Sequence, residues 1–124
     1  MSLKRVLVIE DEEDIAEIIT MILATQNYEV KSVLNPVEAL GVAAEFIPDV
    51  VLLDLTMPQM SGWEVYKQFR AHETLSNVPI AIVTAKAEEF DAVVGLHIMK
   101  ANAYIAKPFG KQELLDKVEE LLLG

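Results

Sequence analysis

The chain has 124 residues, 52% of them hydrophobic and 24% charged, which is one domain's worth of globular protein spanning 1–124. A formal net charge of −10 excludes the basic face that direct nucleic-acid binding requires, and no apolar run approaches the ~18 residues of a bilayer span. Cysteine is absent, which excludes disulfides and thiolate metal sites; with no secretory-signal layout at the N-terminus, the expected address is the cytoplasm.

Arg5-Val6-Leu7-Val8-Ile9 is an apolar run with β-branched bias, hence a buried strand. It ends in the acids Glu10, Asp11, Glu12, Glu13 and Asp14. From Asp14 the period changes, and Ile15, Ile18, Ile19, Ile22 and Leu23 mark one face of a helix closing near Asn27. Tyr28 to Val33 alternates like an edge strand with a wetter face. Asn35-Pro36-Val37-Glu38 supplies an N-cap, a proline at the first helical position and a capping-box glutamate. That helix should run to about Phe46 and stop before Pro48.

Val50-Val51-Leu52-Leu53 reads as a strand buried on both faces, as in a parallel sheet. Asp54 stands where it should stop, and Pro58 and Gly62 bracket the following loop. Trp63 to Phe69 continues as an amphipathic helix, and Trp63 most simply packs it against the sheet. Val78 to Thr84 is another buried strand, with Pro79 near its start. Residues 87 to about 100 read as a helix, Ala103 to Ala106 as a short fifth strand, and Glu113 to Leu122 as a terminal helix. Five strands alternating with five helices imply an α/β fold with a doubly wound, five-stranded parallel sheet.

In such a sheet all strands end on one edge, so Glu10 with Asp11, Asp54, Thr84 and Lys107 should converge. Carboxylates forced together repel, and a hard divalent cation held through oxygens relieves that repulsion. Mg²⁺ takes only one or two carboxylates plus phosphate oxygens, which suits so sparse a set. Lysine offers a second positive point for a phosphoryl group, and threonine a hydroxyl. Asp54 is then the candidate nucleophile, since carboxylates form acyl phosphates.

Four motifs in order carry a resemblance: Val6 to Glu12, Asp54-Leu55-Thr56-Met57-Pro58 with Gly62, Val83-Thr84-Ala85, and Tyr104-Ile105-Ala106-Lys107-Pro108-Phe109. Over essentially its whole length the chain resembles a receiver domain of two-component signalling, the response-regulator family of chemotaxis and PhoB-like receivers. The resemblance implies a flavodoxin-like sheet of strand order 2-1-3-4-5. It makes Asp54 the phosphoacceptor, charged from a sensor histidine kinase or phosphotransfer protein, in a domain that catalyses only its own phosphorylation and dephosphorylation. Asp11 becomes a direct Mg²⁺ ligand, Glu10 its partner through water, and Thr56 the donor of a backbone carbonyl. Lys107 would contact the phosphoryl group, with Pro108 in the cis form, and Thr84 with Tyr104 would form the switch pair. Output would pass to a downstream protein partner or effector domain through the face of the fourth helix, last strand and last helix.

Glu12, Glu13 and Asp14 are read as solvated acids at a helix N-terminus, and His72 and His97 as surface residues. Thr84 and Lys107 stand one position further apart than is usual in the family. The fourth helix also lacks its closing glycine, so Asn102 is expected to take the left-handed turn. Ala92-Val93-Val94 stands where PhoB-like dimers carry a basic residue, which argues against that dimer. Phe90, Val93, Val94, Leu96, Ile98 and Met99 exceed what one helical face buries and predict an exposed patch for a partner protein. Lys86 and Thr56 should flank the phosphoryl group and set its lifetime. Two other readings stay open: a haloacid-dehalogenase-type phosphatase, which wants a second acid where Thr56 stands, and a phosphorylation-independent binding module. An FMN site lacks its phosphate loop after the first strand.

Overall fold

Side-chain alternation along five short strands decides the architecture. The computed structural model describes residues 3–55, 57, 60–84 and 100–124. Strands β1 (Arg5–Ile9), β2 (Glu29–Val33), β3 (Val50–Leu53), β4 (Ile80–Thr84) and β5 (Ala103–Ala106) pair in the order β2-β1-β3-β4-β5, every pairing parallel. Register places Val6 beside Val50, Val8 beside Leu52, and Leu53 beside Ile82, so matching residues share a face. Leu7, Ile9, Val51, Leu53, Ile80 and Ile82 build one core; Val6, Val8, Val50, Leu52, Ala81, Val83 and Ile105 build the other.

Helices cover both faces, which is why β1, β3 and β4 carry almost unbroken apolar runs. Among the described residues they are α1 (Glu13–Ala24), α2 (Ala39–Phe46), α3 (Gly62–Ala71) and α4 (Lys111–Leu123), with a 3₁₀ turn at Pro36–Glu38. Ala39, Ala43, Val65 and Phe69 bring α2 and α3 onto the first core. Ile19, Leu23, Leu114 and Val118 bring α1 and α4 onto the second. Each fully buried aliphatic or aromatic side chain contributes about 1.5–3 kcal/mol, so this two-sided burial dominates stability. Edge strand β2 is the wet one, with Val33 its only fully buried residue.

The expected fourth helix lies outside the described residues. With it lie Lys86, Phe90, Ala92, Val93, Val94, Leu96, His97, Ile98 and Met99, as do Thr56 and Pro58. Two local expectations are corrected. The Asn35 cap forms, its side chain accepting from the Val37 amide at 3.0 Å, but it opens a 3₁₀ turn before α2 begins. The left-handed residue before β5 is Lys100, at φ 61°, and not Asn102. Asn102 instead uses its side-chain oxygen to accept from the Ile80 amide at 2.8 Å and from Arg70 at 3.0 Å. It thereby satisfies the first amide of β4, which the sheet leaves unpaired there.

Helix α2 ends at Phe46, before Pro48, as the sequence led us to expect. Ile47 stops the helix in the left-handed region, at φ 52° and ψ 68°, its amide donating to Ala43 O at 2.9 Å. A β-branched residue is an outlier there, because Cβ crowds the backbone by roughly 1–2 kcal/mol. Its side chain is 64% exposed and gains little burial in return. Ile47→Gly should therefore raise the unfolding free energy by about 1 kcal/mol after glycine's greater unfolded-state freedom is deducted. Urea denaturation measures this, and an equal or lower midpoint would refute the strain.

Candidate functional site

Four of the five strands bring a residue at or just past their carboxyl end to the same edge of the sheet. Glu10 and Asp11 follow β1, Asp54 follows β3, Thr84 closes β4, and Lys107 follows β5. Backbone bonds hold these ends in place: Asp54 N donates to Ile9 O at 3.0 Å and Lys107 N to Thr84 O at 2.9 Å. One carboxylate oxygen from each of Glu10, Asp11 and Asp54 lies within 4.8 Å of the other two. Glu10 is 1% exposed, Asp54 4% and Thr84 fully buried, while Asp11 and Lys107 are partly exposed, so the cluster is buried at its base and open to solvent at Asp11 and Lys107.

Lys107 supplies the opposing charge. Its Nζ lies 2.5 Å from Glu10 Oε1 and 3.8 Å from Asp54 Oδ2. The other Glu10 oxygen accepts from the Glu12 amide at 3.2 Å. Burial pushes the Glu10 carboxyl up from 4.5 to about 7; the Lys107 bond opposes this, and the nearby Asp54 charge reinforces it. Asp11 Oδ1 differs from all of these. It is buried and makes no hydrogen bond among the described residues. A buried orphan oxygen is costly unless a cation or donor completes it. Three hard oxygen donors with one of them unfilled fit a small divalent cation.

Glycine at position 62 fixes the backbone beneath Asp54. A Cβ there would lie 2.3 Å from Asp54 O and 2.5 Å from Leu55 Cα, both backbone atoms. The Gly62 amide donates to Leu55 O at 3.0 Å, while the Ser61 hydroxyl caps α3 through the Glu64 amide. Helix α3 thus begins in contact with the acidic edge. Its far end is held by Arg70, which donates to Val78 O and Asn102 and lies 4.9 Å over the Tyr66 ring.

Of the residues singled out from the sequence, Glu10, Asp11, Asp54 and Lys107 meet directly, and Thr84 ends the strand between β3 and β5. Tyr104 is half-buried against the first core, and the Lys107–Pro108 bond is cis. Trp63 packs on that core too, edge-on to Tyr66 at 5.9 Å. Thr56 and Lys86 lie outside the described residues. The Glu10–Lys107 pair was not anticipated. Its one available signal is glutamate at position 10, a methylene longer than aspartate and able to reach across the cluster.

A family model for the response regulator receiver domain matches residues 6–119. Sensory transduction protein RegX3 of Mycobacterium tuberculosis is 39% identical over 117 residues, covering 94% of this chain and 50% of that protein. DNA-binding response regulator MtrA of Mycobacterium leprae is 38% identical, covering 96% of this chain and 51% of its own length. The chain therefore spans about half the length of the curated relatives it matches. Among solved structures, the chemotaxis protein CheY4 of Vibrio cholerae superposes with a TM-score of 0.91 at 27% identity, covering 98% of this chain and 100% of that one. A CheY-like receiver domain protein of Methanospirillum hungatei gives 0.87 at 31% identity, covering 98% and 94%.

Two measurements check this geometry. Gly62→Ala forces the Asp54–Leu55 backbone to move and should cost about 2 kcal/mol or more; unchanged stability would mean that the contact relaxes freely. In metal-free buffer, folded Glu10 keeps its proton where the unfolded chain has lost it. Its contribution to stability is therefore complete below about pH 4.5 and is lost as the pH rises through about 7. Urea unfolding across that window should show a steeper decline for the wild type than for Glu10→Gln, and identical slopes would contradict the assignment.

Proposed function

The chain belongs to the response regulator receiver domain family, and from that membership we propose that Asp54 is its phosphoacceptor, charged from the phosphohistidine of a sensor kinase or phosphotransfer protein. The observation that supports this most directly is the meeting of Asp54 with Asp11, Glu10 and Lys107 in one cluster, with Glu10 and Asp54 buried and Asp11 and Lys107 partly exposed. Mg²⁺ is the cation that these carboxylates fit, held by Asp11 and Asp54, with Glu10 through water and with the Thr56 backbone carbonyl. When bound, it neutralises charge on the carboxylates and on the transferred group.

The chain's own residues do the rest. Asp54 presents a carboxylate oxygen from a backbone that Gly62 and Ile9 hold in place. Lys107 carries an ammonium to the same point, and burial strengthens its attraction for developing negative charge. The domain catalyses only gain and loss of its own phosphoryl group. That group adds about −1.5 to −2 charges, which the Thr84 hydroxyl answers by turning toward it, and Tyr104 turns inward in response. Reversing a 1:99 equilibrium needs about 5.5 kcal/mol, within reach of three charge-assisted contacts at roughly 1.5–3 kcal/mol each.

The switched face then engages a downstream protein or effector domain. MtrA's name as a DNA-binding regulator supports an effector with a separate DNA-binding part, since this chain matches only half of such relatives and carries a charge of −10. No described helix is long and apolar enough to cross a membrane. The cytoplasm, where the family's kinases present their phosphohistidine, is the compartment this reading requires.

Acetyl phosphate with Mg²⁺ should add the mass of one phosphoryl group to the wild type and none to Asp54→Asn, by intact-mass spectrometry. Chelation should abolish the gain. A wild type whose mass never changes would point instead to a phosphorylation-independent binding module.

A further inference from the structure

Strand β2 is paired on one side only. It ends the sheet order and keeps an unbroken parallel register with β1, from Arg5 beside Glu29 to Ile9 beside Val33. The Glu29 amide donates to Lys4 O at 2.9 Å, and Val33 O accepts from the Glu10 amide at 3.1 Å. Positions 29, 31 and 33 therefore turn their backbone groups toward β1, and Val30 and Ser32 turn theirs toward the open edge. Such an edge is a template for another strand unless a proline, a bulge, a charge or a covering segment blunts it. Residues 29–33 contain no proline and no bulge, and Glu29, Lys31 and Ser32 are exposed. The charges remain, and they oppose some registers while favouring another.

We propose that the β2 edge pairs with the same edge of a second copy of this chain, antiparallel and centred on Val30. Backbone direction and charge together choose that register. Val30 opposite its counterpart is a hydrogen-bonded pair, each residue donating once and accepting once. Glu29 of one copy then lies opposite Lys31 of the other, and two-fold symmetry repeats the contact. These flanking positions form non-hydrogen-bonded pairs, in which Cα atoms approach to about 4.5 Å and side chains meet most closely. Centring on Lys31 instead sets the two lysines against each other and Glu29 against Val33, exchanging both attractions for a repulsion. Centring on Ser32 leaves Glu29 and Lys31 without a counter-charge. Arg5 Nε lies 3.3 Å from one Glu29 oxygen, which among the described residues leaves the second oxygen for the incoming lysine. Long-range repulsion between two chains of net charge −10 opposes the contact, but physiological salt screens it beyond about 8 Å. Antiparallel pairing also points the two acidic edges in opposite directions, so neither copy occupies the other's site.

Charge exchange across the pair provides the test. Self-association is measured by sedimentation equilibrium on the wild type, Glu29→Lys and Lys31→Glu, with thermal melts to confirm folding. The wild type should show a reversible monomer–dimer equilibrium, and each variant should weaken it about tenfold, because each turns two attractive contacts into repulsive ones. An equimolar mixture of the two variants should dimerise as well as the wild type, since lysine at 29 then meets glutamate at 31 and the native Lys31 meets the native Glu29. A wild type that stays monomeric up to about millimolar concentration, the weak end of measurable affinities, overturns the proposal. So does a mixture that associates no better than its components. Val30→Pro adds an independent check on the backbone, because it removes an outward N–H and no bond to β1. Loss of the dimer in that variant supports the pairing, and a dimer that survives uses another surface and overturns it. Should Val30→Pro fail to fold, the mixing experiment decides alone.

Discussion

Negative charge held out of water sets the terms for everything else at the edge of this sheet. Glu10 and Asp54 are almost fully buried, and the nearby Asp54 charge adds to burial in raising the affinity of Glu10 for a proton. A buried carboxylate left alone takes up a proton; one beside a cation does not. Lys107 meets this need in part, which among the described residues leaves three acids against one base and one Asp11 oxygen without a hydrogen-bond partner. The cluster is thus poised between under-neutralised and neutralised states, and a divalent ion or a proton moves it from one to the other. Such poise suits a site at which charge is added or removed.

The scaffold exists to maintain that arrangement against its own repulsion. Parallel pairing sends the ends of β1, β3, β4 and β5 to one edge, and burial of both faces makes a slip in register expensive. Two details sharpen the placement. Gly62 lets α3 begin in contact with the Asp54 carbonyl, so the loop cannot sag without moving a helix. At the other end of α3, Arg70 ties the helix to Val78 and Asn102, and Asn102 in turn completes the first amide of β4. Helix α3 therefore braces both ends of the sheet near β3 and β4. Local strain at Ile47 lies in the connection between α2 and β3 and is the cost of ending α2 abruptly.

Much of this was legible in the residues because its causes are local or periodic. Unbroken apolar runs at Val6–Ile9 and Val50–Leu53 can only be strands covered on both faces, and the acids that stop them must then lie on the common edge. Boundaries were less legible. Pro48 correctly marked the end of α2 at Phe46, but the left-handed conformation of Ile47 that closes it runs against β-branched propensity, at a local cost of about 1–2 kcal/mol. Asn102 was the natural residue for a left-handed turn, but Lys100 takes that conformation because the Asn102 amide oxygen is required by Ile80 and Arg70.

By itself, then, the sequence determined the fold class, the covering of the sheet, and the identity of the groups at its rim, since hydrophobic period and strand ends are written residue by residue. Which of those groups touch was decided only by three-dimensional packing. Lys107 lies 97 positions from Glu10, and no local pattern distinguishes an ammonium resting on Glu10 from one resting on Asp54. That choice depends on ångström-scale differences in side-chain reach inside a space with little water, where a pair at contact far outweighs one slightly further apart.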